Sequence, residues 1–239
     1  MKLIGLTGGI STGKSTVSAL LKEQNIPIID ADKIARDIVE PGRKANQLIR
    51  QHFGDEVFLP DGHLDRPKLG QIIFQDPEKR KILNRCTHPY VRLEMLKQAF
   101  IYWIKGADLV IFDVPLLIES NLDRFMSTTV VVYCSDVLQL QRLRRRDNLS
   151  EEQALQRMKA QMPMADKVAK ADIVLDNSSD LLQLEIQVKN MTKKLKPSTF
   201  TWLFEYAGPP VALVLLSVLV KQYAPTLLNT IGDSIATLR

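Results

Sequence analysis

Gly8-Gly9-Ile10-Ser11-Thr12-Gly13-Lys14-Ser15 is a stretch whose residue types can hold phosphate. Its spacing is G-x-x-x-x-G-K-S. That pattern turns backbone N–H groups and a helix N-terminus towards a polyphosphate. In it, Lys14 reaches the β- and γ-phosphates and the Ser15 hydroxyl can ligate Mg²⁺. The candidate phosphate-binding residues are therefore Gly8 to Ser15 together with Thr16. A Gly-rich turn with a surface lysine would leave Gly8, Gly13, Lys14 and Ser15 at this spacing unexplained.

Three further groups have types suited to the same chemistry. Asp113 ends the apolar run Val110-Ile111-Phe112. A carboxylate at the tip of a buried strand can order Mg²⁺ directly or through water; it could equally cap the next turn. Asp30-Ala31-Asp32 follows another apolar run. One of these carboxylates could accept the proton of an attacking hydroxyl, or the pair could open a helix, where Asp is a favoured cap. Arg142 and Arg146 are four apart on a helical pattern and share a face. They could close over a nucleotide and stabilise the transferring phosphate. A solvated basic face is the competing reading, and Arg144 and Arg145 are expected to be just that.

These groups need a scaffold, and the chain supplies short apolar runs alternating with helical segments. Residues 2–7, 26–30, 109–113, 129–134 and 172–176 read as strands. They are apolar throughout rather than alternating, which predicts a parallel sheet covered on both faces. Alternation with helices predicts an α/β fold. Ligands in open α/β sheets bind beyond the carboxyl ends of the strands, so Asp30, Asp32, Asp113 and the Gly-rich loop should share one crevice. About eighty residues separate the second and third strands, long for one crossover and mostly helical in pattern. Residues 137–146 predict a helix. Ser150 and Gln153 form a capping box for another, running to about residue 162 and stopped by Pro163. This arginine-rich excursion between two strands predicts a mobile lid.

Composition sets the bounds. The 239 residues are 45% hydrophobic and 25% charged, an ordinary globular balance. A net charge of +5 suits a polyanionic small molecule better than a nucleic acid, and no nucleic-acid partner is expected. Cys86 and Cys134 are far apart with no C-x-x-C, which argues against a disulfide framework or a zinc site. The first strand begins almost at Met1, so no cleaved signal is expected.

Taken together, the motifs resemble the dephospho-coenzyme A kinase family over residues 1–195. The resemblance rests on Gly5-Leu6-Thr7-Gly8-Gly9-Ile10, Gly13-Lys14-Ser15-Thr16, Asp30-Ala31-Asp32 with Ile34-Ala35-Arg36, and His88-Pro89. It continues through Asp113-Val114-Pro115-Leu116-Leu117, Arg146-Asp147 with Leu149-Ser150, and Ala171-Asp172 to Asp176-Asn177-Ser178. Ser11 departs from it, where the family often has Gly or Ala. The resemblance implies a P-loop kinase with a parallel five-stranded sheet, a helical substrate-binding insertion at about 32–107, and a helical lid at about 137–165. It implies ATP, with Mg²⁺ as cofactor, and dephospho-coenzyme A as acceptor. By residue it implies ATP held by Gly8 to Thr16, with Ser15 and Asp113 serving the metal. Lys14, Asp32, Arg142 and Arg146 become the candidate catalytic groups. Asp32, Arg36, His88 and Asp113 become candidate acceptor-binding residues, and Arg92 could also meet the acceptor's pyrophosphate.

Other readings are weaker. Another small-metabolite kinase would not need this ordered motif set. A GTP switch would show N-K-x-D or D-x-x-G, and neither is found. A scaffold with a decayed site would not keep Lys14, Ser15, Asp32 and Asp113. Beyond Lys196 the character changes: residues 196–239 form an appendage expected to hold a C-terminal hydrophobic helix. Residues 211–220 are apolar except Ser217, with Lys193, Lys194, Lys196 and Lys221 flanking them. The apolar run is short for a bilayer span of about twenty residues, and a tail anchor or interfacial helix is expected. That places the protein facing the cytosol on an intracellular membrane, mitochondrial outer or endoplasmic reticulum. It leaves room for a complex with other coenzyme A pathway enzymes.

Overall fold

Val110-Ile111-Phe112 and Val130-Val131-Val132 are β-branched or aromatic and almost wholly buried, and both become central strands. In the computed structural model, which describes residues 1–196, the strands are β1 (Lys2–Gly8), β2 (Ile28–Asp30), β3 (Leu109–Asp113), β4 (Thr128–Tyr133) and β5 (Ile173–Asp176). All pair in parallel, in the order β2-β3-β1-β4-β5. This is the expected α/β five-stranded parallel sheet. The segment 197–239, and with it the expected C-terminal helix, lies outside the described residues.

Helix α1 (Lys14–Glu23) follows β1 directly. Its Val17 and Leu21 join Ile4, Leu6, Ile111, Val130, Val132 and Leu175 of the sheet in one apolar layer. Leu184, Val188 and Met191 of α9 (Leu181–Leu195) complete that layer. On the other face Val131 packs with Ile118 and with Met164 of α8 (Met164–Ala169).

Between β2 and β3 lie α2 (Ala31–Asp37), α3 (Lys44–Phe53), α4 (Arg66–Gln75) and the long α5 (Pro77–Ile104), the expected helical insertion. Asp65 and Asp76 cap α4 and α5, accepting from backbone amides two to three residues on. Between β4 and β5 lie α6 (Asp136–Asp147), α7 (Glu151–Lys159) and α8. Ser150 and Gln153 form the capping box at the start of α7. That helix stops three residues before the expected end at 162. The chain leaves the helix so that Gln161 can accept from Ile10 N–H at 2.9 Å and Met162 N–H can donate to Glu119 at 3.3 Å.

The strand order sets where chemistry can happen. β1 leads through α1 to β2 on one side, and the chain later returns to β4 on the other. The crevice beyond the carboxyl ends of the strands opens at β1. The register places Asp113 beside Leu6 and beside Asp30, and Val132 beside Gly8, so the loop and the carboxylates meet at one edge.

Candidate active site

The loop from Gly8 to Ser15 is held tightly. A Cβ on Gly8 would stand 2.8 Å from the Val132 carbonyl oxygen, too close for any side chain. Gly13, with φ of 98°, ends the loop and precedes α1, and a Cβ there would meet the Asn177 amide nitrogen at 2.0 Å. Asn177 Nδ2 donates to the Thr12 carbonyl at 2.8 Å, and the buried Thr12 hydroxyl donates to the Gly9 carbonyl at 2.9 Å. No side chain caps α1, so its first N–H groups are left for an anion. Thr16 lies inside that first turn, its N–H bonded to the Gly13 carbonyl at 2.9 Å.

Asp113 is buried, and both its carboxylate oxygens are engaged. Oδ1 accepts from Lys14 Nζ, and Oδ2 accepts from Ser18 Oγ at 2.6 Å. It thereby aims the loop lysine. Asp30 and Asp32 separate into two roles. Asp30 caps α2, accepting from Lys33 N–H at 2.9 Å. Asp32 is left open at the mouth of the site. The surrounding protein still displaces enough of its water to raise its carboxyl above the ordinary value, with Asp30 and Asp113 adding to the rise and Lys14 and Arg36 opposing it.

Gly8, Gly9, Lys14, Ser15, Asp32 and Arg146 line one pocket of about 300 Å³, with Ile10, Ser11, Gly13, Pro115 and Gln161. Among the described residues Asp32 is its one lining carboxylate. Ser15 offers an exposed hydroxyl there, which fits one protein donor to Mg²⁺. Among the described residues no group of three acidic, His or Cys side chains forms a metal cage. Mg²⁺ that takes most of its ligands from phosphates and water needs none.

Arg142 and Arg146 do not act as a pair here. Arg142 donates to the Asn177 carbonyl at 3.0 Å, bracing the chain after β5. Arg146 lies one helical turn on, a rise of about 6 Å, and reaches the pocket edge while binding Asp147 at 2.7 and 3.1 Å. Arg144 pairs with Glu151 and Arg145 is exposed. Arg36 and His88 are exposed on α2 and α5 and do not line this pocket. Displaced water, and then the nearby Arg92, hold the His88 imidazole below its ordinary pKa.

Several residues at the site were not singled out from the sequence. Ser18 is four residues after Lys14, and that helical spacing could have found it. Gln139 Nε2 donates to the Ile10 carbonyl at 2.9 Å and Gln161 accepts from the Ile10 N–H, so both ends of this loop residue are clasped. Nothing local marks either glutamine. The buried Lys167, bonded to Glu119 and Gly8, also carries no local signal.

The sequence model of the family described as dephospho-CoA kinase matches residues 2–183. A zebrafish (Danio rerio) dephospho-CoA kinase domain-containing protein is 53% identical over 196 residues, covering 82% of this chain and 86% of that protein. The Saccharomyces cerevisiae dephospho-CoA kinase is 44% identical over 227 residues, 93% of this chain and 94% of that protein, so this alignment runs into the C-terminal segment. Among solved structures, the dephospho-CoA kinase from Campylobacter jejuni superimposes with a TM-score of 0.64 at 28% identity. It covers 81% of this chain and 96% of its own.

Proposed function

The chain belongs to the dephospho-CoA kinase family, and on that premise we propose that it transfers the γ-phosphoryl of ATP to the ribose 3′-hydroxyl of dephospho-coenzyme A, the last step of coenzyme A biosynthesis. The observation that carries this reading is the meeting of Lys14, held by Asp113, with the open carboxylate of Asp32 in one pocket walled by the phosphate loop. Phosphoryl transfer depends on in-line positioning and charge neutralisation more than on covalent chemistry by the protein.

Each residue then has a task. The loop amides and Lys14 hold the β- and γ-phosphates of ATP. Ser15 would hold Mg²⁺, which when bound neutralises phosphate charge; Asp113 supports that centre by aiming Lys14. Asp32 orients the attacking hydroxyl and takes its proton. A raised carboxyl pKa brings it nearer the operating pH, where a base works best. Arg146, once drawn from Asp147, neutralises charge on the transferring phosphoryl. The test is product formation by the purified protein: coenzyme A and ADP from ATP, Mg²⁺ and dephospho-coenzyme A. Turnover with a nucleoside monophosphate or another small alcohol, and none with dephospho-coenzyme A, overturns the reading.

The tail has its own reading. Residues 196–239 attach the enzyme to an intracellular membrane. Support comes from the apolar run 211–220 between basic residues. Among the described residues no helix is long and apolar enough to cross a membrane.

A further inference from the structure

Lys167, on α8, is fully buried, and the activity described so far does not use it. Its ammonium lies 2.8 Å from Glu119 Oε1 and donates to the Gly8 carbonyl oxygen at 3.3 Å. A buried ammonium is tolerated only when paired and hydrogen-bonded, and these two groups supply the pairing. Glu119 follows β3 and also accepts from Met162 N–H at 3.3 Å, so it ties the segment before α8 to the same point. Gly8 is the first residue of the phosphate loop. Because a peptide unit is planar, fixing the Gly8 carbonyl fixes the direction of the Gly9 N–H, and Gly9 lines the pocket. The same segment presses on Gly9 directly: a Cβ there would stand 2.7 Å from Met164 Sδ.

We infer that Lys167 is a positioning residue for nucleotide binding. Through the Gly8 carbonyl it sets the first peptide of the phosphate loop. Glu119 holds Lys167 in place rather than touching the loop. The inference rests on the kinase reading for its ligand, a nucleoside di- or triphosphate, but not on the identity of the acceptor.

The experiment compares Lys167→Met, Glu119→Gln and the double variant by calorimetric titration with MgADP and by the KM of each substrate. Lys167→Met keeps the stem and removes the donor. Loss of one charge-assisted hydrogen bond to the loop predicts a rise of about tenfold in the MgADP Kd and in the KM for ATP. The acceptor KM should stay within about twofold. Glu119→Gln removes the counter-charge but keeps an amide oxygen and the Gly8 acceptor for the ammonium; it should lower Tm and weaken ATP less than Lys167→Met does. The double variant buries neither charge; it should recover Tm over Lys167→Met while keeping the weak nucleotide binding. A double variant with wild-type MgADP affinity overturns the inference, as does Glu119→Gln weakening ATP as much as Lys167→Met. Should neither Lys167 variant fold, ¹⁵N-lysine spectra of the unmodified protein decide. The buried ammonium resonance must shift on adding MgADP, and an unmoved resonance overturns the inference. Wild-type protein that binds MgADP but makes no coenzyme A would instead count against the proposed acceptor and leave this comparison intact.

Discussion

Lys14, at the start of α1, donates to Asp113 at the end of β3, 99 residues further along the chain, and Ser18 one turn along α1 holds the other carboxylate oxygen at 2.6 Å. A lysine stem is flexible and its ammonium is a point charge. Bound at its tip to a buried carboxylate, the Lys14 side chain is pre-aimed along the floor of the pocket. The parallel register of β1 with β3, which sets Leu6 beside Asp113, makes the contact possible.

Asp113→Asn should therefore act on catalysis more than on folding. The amide can still meet Ser18, but it no longer draws in the ammonium. We expect kcat/KM for ATP to fall by roughly 10- to 100-fold, short of the 10²–10³ typical when a transition-state donor is removed outright. Ser18→Ala should cost about 1 kcal/mol of stability and change kcat/KM less. Steady-state kinetics and thermal melts of the two variants check this; a normal kcat/KM with a lowered Tm for Asp113→Asn would leave Asp113 a purely structural role.

Asp32 predicts a pH dependence. Its carboxyl is raised, chiefly by loss of water, so the acid limb of kcat/KM for the acceptor should lie above the ordinary carboxylate value. Asp32→Asn should abolish that limb and lower kcat by about 10²–10⁴-fold, with ATP affinity little changed. Stability has the opposite sign. With a folded pKa above the unfolded one, the native state holds the proton more tightly, and stability declines as pH rises from the unfolded pKa to the folded one. The cost remains at neutral pH, so Asp32→Asn should melt slightly higher than wild type at pH 7. An unaltered kcat would return Asp32 to a merely local role in the first turn of α2.

Arg142 and Arg146 should fail in different ways. Arg142 braces Asn177, and Asn177 holds the Thr12 carbonyl, so Arg142→Ala should lower stability by about 1 kcal/mol or more. Among the described residues Arg146 bonds to Asp147, and it lines the pocket edge. Arg146→Ala should leave Tm near wild type and reduce kcat by about tenfold or more. Arg145→Ala, on the exposed side, should do less than either. Equal and small effects on kcat from Arg145 and Arg146 would make both a solvated basic face.

What could be read from the sequence divides along a physical line. The loop, the strand before it and the helix after it are local, and their pattern is complete within about twenty residues. The strands followed from unbroken apolar runs such as Val130-Val131-Val132. The division of labour between Asp30 and Asp32 needed the start of α2, which lies at Ala31 and makes Asp30 the cap. The separation of Arg142 from Arg146 needed the position of Asn177. Lys167 and Gln161 lie 159 and 151 residues from the loop atoms they bind, and no local period encodes such a contact. Their burial and partners arise only when α8 packs against β4.

The tail supplies the last prediction. The phosphate loop, Asp32, Asp113, Arg146 and Lys167 all precede Pro197, and residues 211–220 offer no group able to take part in phosphoryl transfer. Deleting the chain from Pro197 onward should leave kcat and both KM values within about twofold, since every group given a task in binding or transfer above precedes the deletion. It should also release the protein from the membrane fraction. The run of apolar residues, with Lys193, Lys194 and Lys196 before it and Lys221 after it, matches an element that buries carbon in the acyl boundary and leaves ammonium groups among the headgroups. An apolar segment that instead covered the kinase domain would expose a sticky surface when removed. Fractionation and kinetics of full-length and truncated protein separate the two. A full-length protein that never pellets with membranes, together with a truncation that aggregates or loses activity, would make residues 197–239 a packed part of the fold.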